Sequence, residues 1–222
     1  MPHNKWIHQA AKEVLKLIGL FQKASTRMWI DDNGWYLTLV EFQPSMWGKG
    51  SYLNVALHFL WDERDYLGFD YGHRVSGFVE YTGDDEEFYQ EMLLLARTAK
   101  DKVLEYRKFS DLEYAKLHIV DYPQNPSRIR RMYHSMMICG LSKDPRANHY
   151  CEQLLQMLNH AETQWEQAYF GELNEQIAPI IQEPERLQSY IQGKILRQRD
   201  FWRTKSGMKK LRQENPFGEP VA

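Results

Sequence analysis

Net charge, cysteine and long apolar runs are all scarce in this 222-residue chain. A formal net charge of −2 gives no general attraction to phosphate polymers or anionic lipid. Two cysteines, Cys139 and Cys151, allow one bridge at most. That is no disulfide scaffold and fits a reducing compartment. No stretch approaches the roughly 18 apolar residues of a membrane span. Residues Met1 to Gln9 lack the apolar run of a secretory signal. These absences predict a cytoplasmic protein without a membrane partner.

Chemical motifs are lacking too. There is no Gly-x-Ser-x-Gly elbow and no glycine loop of Walker or dinucleotide type. The eight histidines, His3, His8, His58, His73, His118, His134, His149 and His160, are dispersed. His149 and Glu152 share a helical face, but His160 lies about 16 Å further along a helix, too far to join them on one zinc ion. Cys151 falls on an apolar stripe, where burial is its expected role. The acidic runs Asp62 to Asp65 and Asp84 to Glu87 read as a solvated loop and a helix N-terminus. No catalytic residue, metal site or cofactor is therefore assigned.

What is present is ordinary for a globular protein: 43% hydrophobic and 26% charged residues, with aromatics somewhat high at 14%. The length allows one large domain or two small ones and needs no disulfide or metal for a core.

Apolar residues at helical spacing from Ile7 to Ile18 predict a helix over 4–22, with Gly19 near its end. Strands are predicted over 26–31, 35–42, 51–61 and 73–81, with Asp32-Asn33-Gly34 as a hairpin turn. On the second, Trp35, Leu37 and Leu39 oppose Tyr36, Val40 and Phe42, so helices are expected to cover one face and part of the other. Asp84 with Glu87, and Ser110 with Glu113, have capping-box spacing for helices to about Arg107 and beyond 110. Pro123 and Pro126 mark a break at 121–125. A helix over 127–139 is expected to stop at Gly140, and another to open at Asp144-Pro145. There Ala147, Cys151, Leu154, Leu158, Ala161, Trp165 and Ala168 form a heptad-type seam, read as a core stripe. Pro184 opens a last helix with Leu187, Ile191, Ile195 and Trp202 on one side.

The stretch Val40-Glu41-Phe42-Gln43-Pro44-Ser45-Met46-Trp47-Gly48, running into 51–59, carries a resemblance. Gln43, Ser45, Trp47, Gly48 and Asn54, an N-terminal helix before an aromatic hairpin, and a later His73-Arg74 strand make residues 5–120 similar to the bacterial domain of unknown function number four-three-zero-four. The resemblance implies the fold of that region. It brings no activity, so no catalytic residue is carried over.

Two groups of residues remain as candidate sites. Tyr52, Asn54 and His58, with Ala56, share one strand face, where polar groups on an apolar sheet would orient a ligand. The second group lies near the C-terminus, where eight of the 14 basic residues beyond position 120 fall between Lys194 and Arg212. Lys194, Arg197, Arg199, Arg203 and Lys205, interleaved with Phe201 and Trp202, would suit phosphate contacts and base stacking, and Arg128, Arg130 and Arg131 add to the basic residues. At 100° per residue these charges do not form one stripe, and a helix docked on the body explains them better.

The sequence thus predicts an α+β fold: an N-terminal helix, a three- to four-stranded antiparallel sheet, then a helical region. The expected division is 1–120, 121–206, and a flexible tail at 207–222. The expected function is non-enzymatic binding of a protein partner or small ligand. An enzyme with its site on the sheet face, or a nucleic-acid-associated protein, is the alternative. The oligomeric state is not read.

Overall fold

A computed structural model describes residues 2–124, 127–204, 208–213 and 215–217. The chain is α+β with an antiparallel sheet, and it divides into two compact units. The first comprises Met1–Phe59, Arg64–Lys108 and Asp200–Gly218; the second comprises Leu60–Glu63 and Phe109–Arg199. Among the described residues, no helix is long and apolar enough to cross a membrane.

The first unit opens with α1 (Pro2–Leu15), shorter than the sequence predicts. A 3-10 turn at Lys16–Ile18 and Gly19 close it, and the chain becomes extended by Phe21. Among the described residues six strands follow: β1 (Phe21–Gln22), β2 (Met28–Asp32), β3 (Tyr36–Gln43), β4 (Gly50–Phe59), β5 (Tyr71–Arg74) and β6 (Val79–Glu80). They pair antiparallel in the order β1-β2-β3-β4-β5, with β6 also on β4. The sheet exceeds the expected three to four strands for two reasons. Phe21 and Gln22 pair with Ile30 and Trp29, and the predicted strand at 73–81 is broken in two. At the break Val75 N donates to Leu53 O, but the Leu53 N–H goes to the Ser76 hydroxyl at 3.0 Å instead of continuing the ladder.

Register fixes the two faces. Tyr36, Val40, Leu57 and Phe59 share one face, and α2 (Asp85–Tyr106) lies on it with α1 alongside. Tyr36 Oη donates to Tyr106 O at 2.7 Å there, and Asp84 caps α2 through the N–H groups of Glu86 and Glu87. Leu37, Leu39, Ala56 and His58 share the opposite face. That face is met by Trp202, which packs edge-to-face on His58, and by Arg212, whose N donates to the Asp32 carboxylate at 2.8 Å. Met208 and Leu211, within the segment that the sequence predicts as a flexible tail (207–222), are buried. Residues 207, 214 and 218–222 of that segment lie outside the described residues.

The second unit holds α3 (Leu112–Ile119), α4 (Arg128–Leu141), α5 (Arg146–Leu158), α6 (Gln164–Glu172) and most of α7 (Pro184–Thr204). Asp111, not Ser110, caps α3. The break expected at 121–125 is present through Gln124, while Asn125 and Pro126 lie outside the described residues. Gly140 does not stop α4, which runs through it. A Cβ at Gly140 would stand 2.6 Å from Ile191 Cδ1 and 2.8 Å from Leu187 Cδ2, so this glycine admits α7 rather than ending a helix.

The heptad seam is not continuous. Ala147, Cys151, Leu154 and Leu158 are buried along α5, but the chain leaves the helix at Asn159. Thr163 and Glu166 then form a reciprocal capping box that starts α6 in a new phase. Trp165 and Ala168 fall on exposed positions, and Tyr169 is buried instead. Both cysteines are free and buried; burial pushes the Cys139 thiol up to about 12 and the Cys151 thiol up to about 11.

Candidate functional site

The β3–β4 pairing sets Gln43 opposite Tyr52 and Glu41 opposite Asn54, and β5 brings Arg74 opposite Asn54 from the other side. Cross-strand partners point to the same face, so five polar or aromatic side chains meet. Asn54 Nδ2 donates to Glu41 Oε2 and to Gln43 Oε1, both at 2.9 Å. Arg74 Nη2 donates to the same Gln43 oxygen at 2.9 Å. Its guanidinium lies 3.9 Å from the centroid of the Tyr52 ring, which in turn tilts against Phe78 at 5.0 Å. Asn54 is 5% exposed and both of its amide donors are engaged. It orders the surface and offers no donor to a ligand.

The same end of the sheet carries a feature the sequence reading passed over. In the connection between β3 and β4, Met46 is 91% exposed and Trp47 is 92% exposed. Trp47 N donates to Ser45 Oγ at 3.1 Å, which fixes the turn. Gly50 (φ +150°) sits where a Cβ would come within 2.0 Å of Val79 O, so only glycine lets the hairpin base lie against β6. Gly48 lies close to the Phe78 ring as well. Met46, Trp47, Phe78, Tyr52 and Arg74 thus belong to one end of one sheet. A sequence signal was available: two large apolar residues between Pro44 and Gly48 stand in a turn, with no strand face to bury them.

His58 shares strand parity with Asn54 but lies four residues on, about 13 Å along the strand. It is 0% exposed. Its Nδ1 accepts from Gly68 N at 3.3 Å and Arg64 Nη2 at 3.1 Å, so the ring proton resides on Nε2. Asp70 Oδ2, 3.5 Å from that Nδ1, accepts from Arg64 Nη2 at 2.6 Å and Phe59 N at 2.9 Å. This network ties the loop after Arg64 to the end of β4. Tyr52 and Asn54 therefore meet, while His58 belongs to a separate buried cluster.

The basic C-terminal residues are also dispersed. Lys194 is buried, its ammonium 2.5 Å from Glu172 Oε1 and 3.3 Å from Glu63 Oε2. Arg197 Nε pairs with Glu63 Oε1 at 2.8 Å. Glu172 further accepts from the hydroxyls of Tyr133 and Tyr190, and burial pushes both phenols up. Arg199 is buried, Arg203 is half-buried, and Lys205 lies outside the described residues. Trp202 is buried and presents no free stacking face; Phe201 is half-buried.

No protein-family model matches the chain, and searches of curated proteins and of solved structures likewise give no match.

Proposed function

We propose that the chain is a non-enzymatic, cytoplasmic binding protein that docks another protein on the β3–β4 end of its sheet. The observation that carries this reading is the near-complete exposure of the adjacent Met46 and Trp47. Single exposed apolar residues such as Leu17 and Leu117 are ordinary on a protein surface. Two together, beside half-buried Tyr52 and Phe78 and a stacked Arg74, have the composition of an interaction hot spot. Covering a methionine contributes about 1.5–3 kcal/mol, and a tryptophan has still more area to bury.

A protein partner is favoured over a bilayer by the local charge. Lys49 and Arg74 are balanced by Glu41 and Glu80, so the patch lacks the cationic excess that draws a segment to anionic lipid. An enzyme site on this face is less favoured because Asn54, Gln43 and Arg74 satisfy one another. Nucleic acid is less favoured because Lys194 and Arg197 are matched to carboxylates. Membership of residues 5–120 in the bacterial domain family of unknown function is proposed alongside, and adds no activity.

The test places a photo-crosslinking residue at position 47, and at Leu117 as a control, in cells. A discrete adduct specific to position 47 identifies the partner. Its purified form should bind the wild type and lose about 30-fold or more in affinity to Trp47→Ala. Equal adducts at both positions, or binding unchanged by Trp47→Ala, would reject the reading. Trp47 fluorescence that shifts with anionic vesicles but with no protein would move the assignment to a membrane.

A further inference from the structure

The β1–β2 turn and the first turns of α1 enclose a cleft of about 410 Å3 in the first unit. Its lining includes Asn4, His8, Lys23, Ser25, Arg27 and Glu41. Arg27 is half-buried, and every acceptor it meets is neutral. Nη1 donates to Gly50 O at 3.1 Å; Nη2 donates to His3 Nε2 at 3.3 Å and to Asn4 Oδ1. No carboxylate lies within ion-pair reach of it among the described residues. A guanidinium carries five N–H donors, so these bonds fix its plane and leave donors unused. Burial pushes its pKa down, as expected for a cation removed from water without a counter-charge.

Lys23 and His8 also line the cleft. Lys23 has no carboxylate partner among the described residues; its ammonium stands 5.9 Å from the Trp202 ring centroid. Gln22 Nε2 donates to Thr26 O at 2.6 Å, which identifies it as the amide nitrogen, and it also reaches His8 Nδ1 at 3.0 Å. His8 Nδ1 is therefore the acceptor and Nε2 carries the proton. Burial, then the charge of Arg27, pushes the His8 pKa down. The one carboxylate in the lining, Glu41, already accepts from Asn54.

We propose that this cleft binds the phosphate group of a small molecule, with Arg27 as the fixed charge and Lys23, the Nε2–H of His8 and the Ser25 hydroxyl as surrounding donors. The donors come from α1 and from the connection between β1 and β2, so they approach from more than one direction. That suits a tetrahedral oxyanion better than a planar carboxylate. Guanidinium recognition of phosphate is charge-assisted and strengthens when water is partly excluded.

The test titrates the full chain with inorganic phosphate at constant ionic strength, following the His8 ring by NMR and heat by calorimetry. Saturable binding is expected, with the His8 pKa rising toward its ordinary value as the anion offsets Arg27. Arg27→Gln should weaken binding about tenfold or more. Because Arg27 also ties α1 to Gly50, Lys23→Gln supplies a second variant whose lost ammonium makes no hydrogen bond among the described residues; a several-fold loss is expected. No saturable shift of His8, or equal affinity in the wild type and Lys23→Gln, overturns the proposal. Acetate binding as tight as phosphate overturns the phosphate assignment.

Discussion

Asp31 holds Arg107 by both carboxylate oxygens: Nε donates to Oδ2 at 2.9 Å and Nη2 to Oδ1 at 2.8 Å. The same Nη2 reaches Ile18 O at 2.5 Å. One guanidinium thus joins β2, the 3-10 turn after α1 and the end of α2. Asp31 is almost fully buried while Arg107 is about one-third exposed. Removing the cation strands a buried carboxylate, so Arg107→Ala should lower stability by about 2–4 kcal/mol in urea unfolding. Arg107→Lys should recover less than half, because an ammonium cannot make the paired geometry. A loss within about 0.5 kcal/mol would mean the pair is not a structural tie.

Lys194 and Arg197 share Glu63 but differ in surroundings. Lys194 is 4% exposed between two carboxylates, whereas Arg197 is mostly exposed. Lys194→Ala leaves Glu172 and Glu63 without their buried cation and should cost about 3–5 kcal/mol. Arg197→Ala should cost at most about 1 kcal/mol. Thermal and urea unfolding of the two variants checks this; comparable losses would place Lys194 on the surface and reopen the phosphate-contact reading.

Local rules made much of this fold legible, and the misses have identifiable physical causes. The main strands follow from runs of aromatic and branched residues bounded by turn signals, and α2 from the Asp84 cap, all of which act within a few residues. Gly140 misled because a glycine late in a helical pattern can end the helix or admit a neighbour, and Leu187 and Ile191 arrive from some fifty residues away. Parity placed Tyr52, Asn54 and His58 on one face, but parity carries no distance along the strand. The partners that separate them, Gln43 and Arg74 for Asn54, Arg64 and Gly68 for His58, come from other segments. Charge density at 194–205 leaves a polyanion footprint as the less favoured alternative to a docked helix, because Glu63 and Glu172, which match Lys194, are distant in sequence.

Asp144 gives a pH dependence with a defined sign. Arg146 clasps its carboxylate through Nε, Nη2 and the backbone N–H, and Lys116 adds an ammonium at 3.1 Å. The Arg146 side chain first, with these partners, holds the Asp144 carboxyl well below the usual range. A carboxylate whose pKa is depressed by folding stabilises the native state above its unfolded pKa, near 3.9. That contribution is lost as pH falls below 4 toward the folded pKa. Wild type should therefore exceed Asp144→Asn in melting temperature at pH 7, with the gap constant down to about pH 5 and closing below pH 4. A gap that persists unchanged in strong acid would show that packing, not charge, is responsible.

The interrupted seam supplies the last prediction. A continuous heptad stripe would make Leu154, Leu158 and Trp165 equivalent core residues. The capping box at Thr163 and Glu166 instead restarts the helix and rotates Trp165 outward, where it is 40% exposed. It keeps an edge contact with Tyr169 and a position 5.7 Å from the Arg130 guanidinium. Leu154 is fully buried, so Leu154→Ala removes apolar contact and leaves a cavity, at a cost of about 2–5 kcal/mol. Trp165→Ala removes a partly wet ring and a surface cation–π contact, at a cost of about 1 kcal/mol or less. Thr163→Ala loses the hydroxyl of the capping box and should cost about 1 kcal/mol. Urea midpoints for the three variants order them as Leu154, then Thr163 and Trp165 together. A Trp165→Ala loss equal to that of Leu154→Ala would restore the single seam and remove the break at Asn159 as the device that sets the phase of α6.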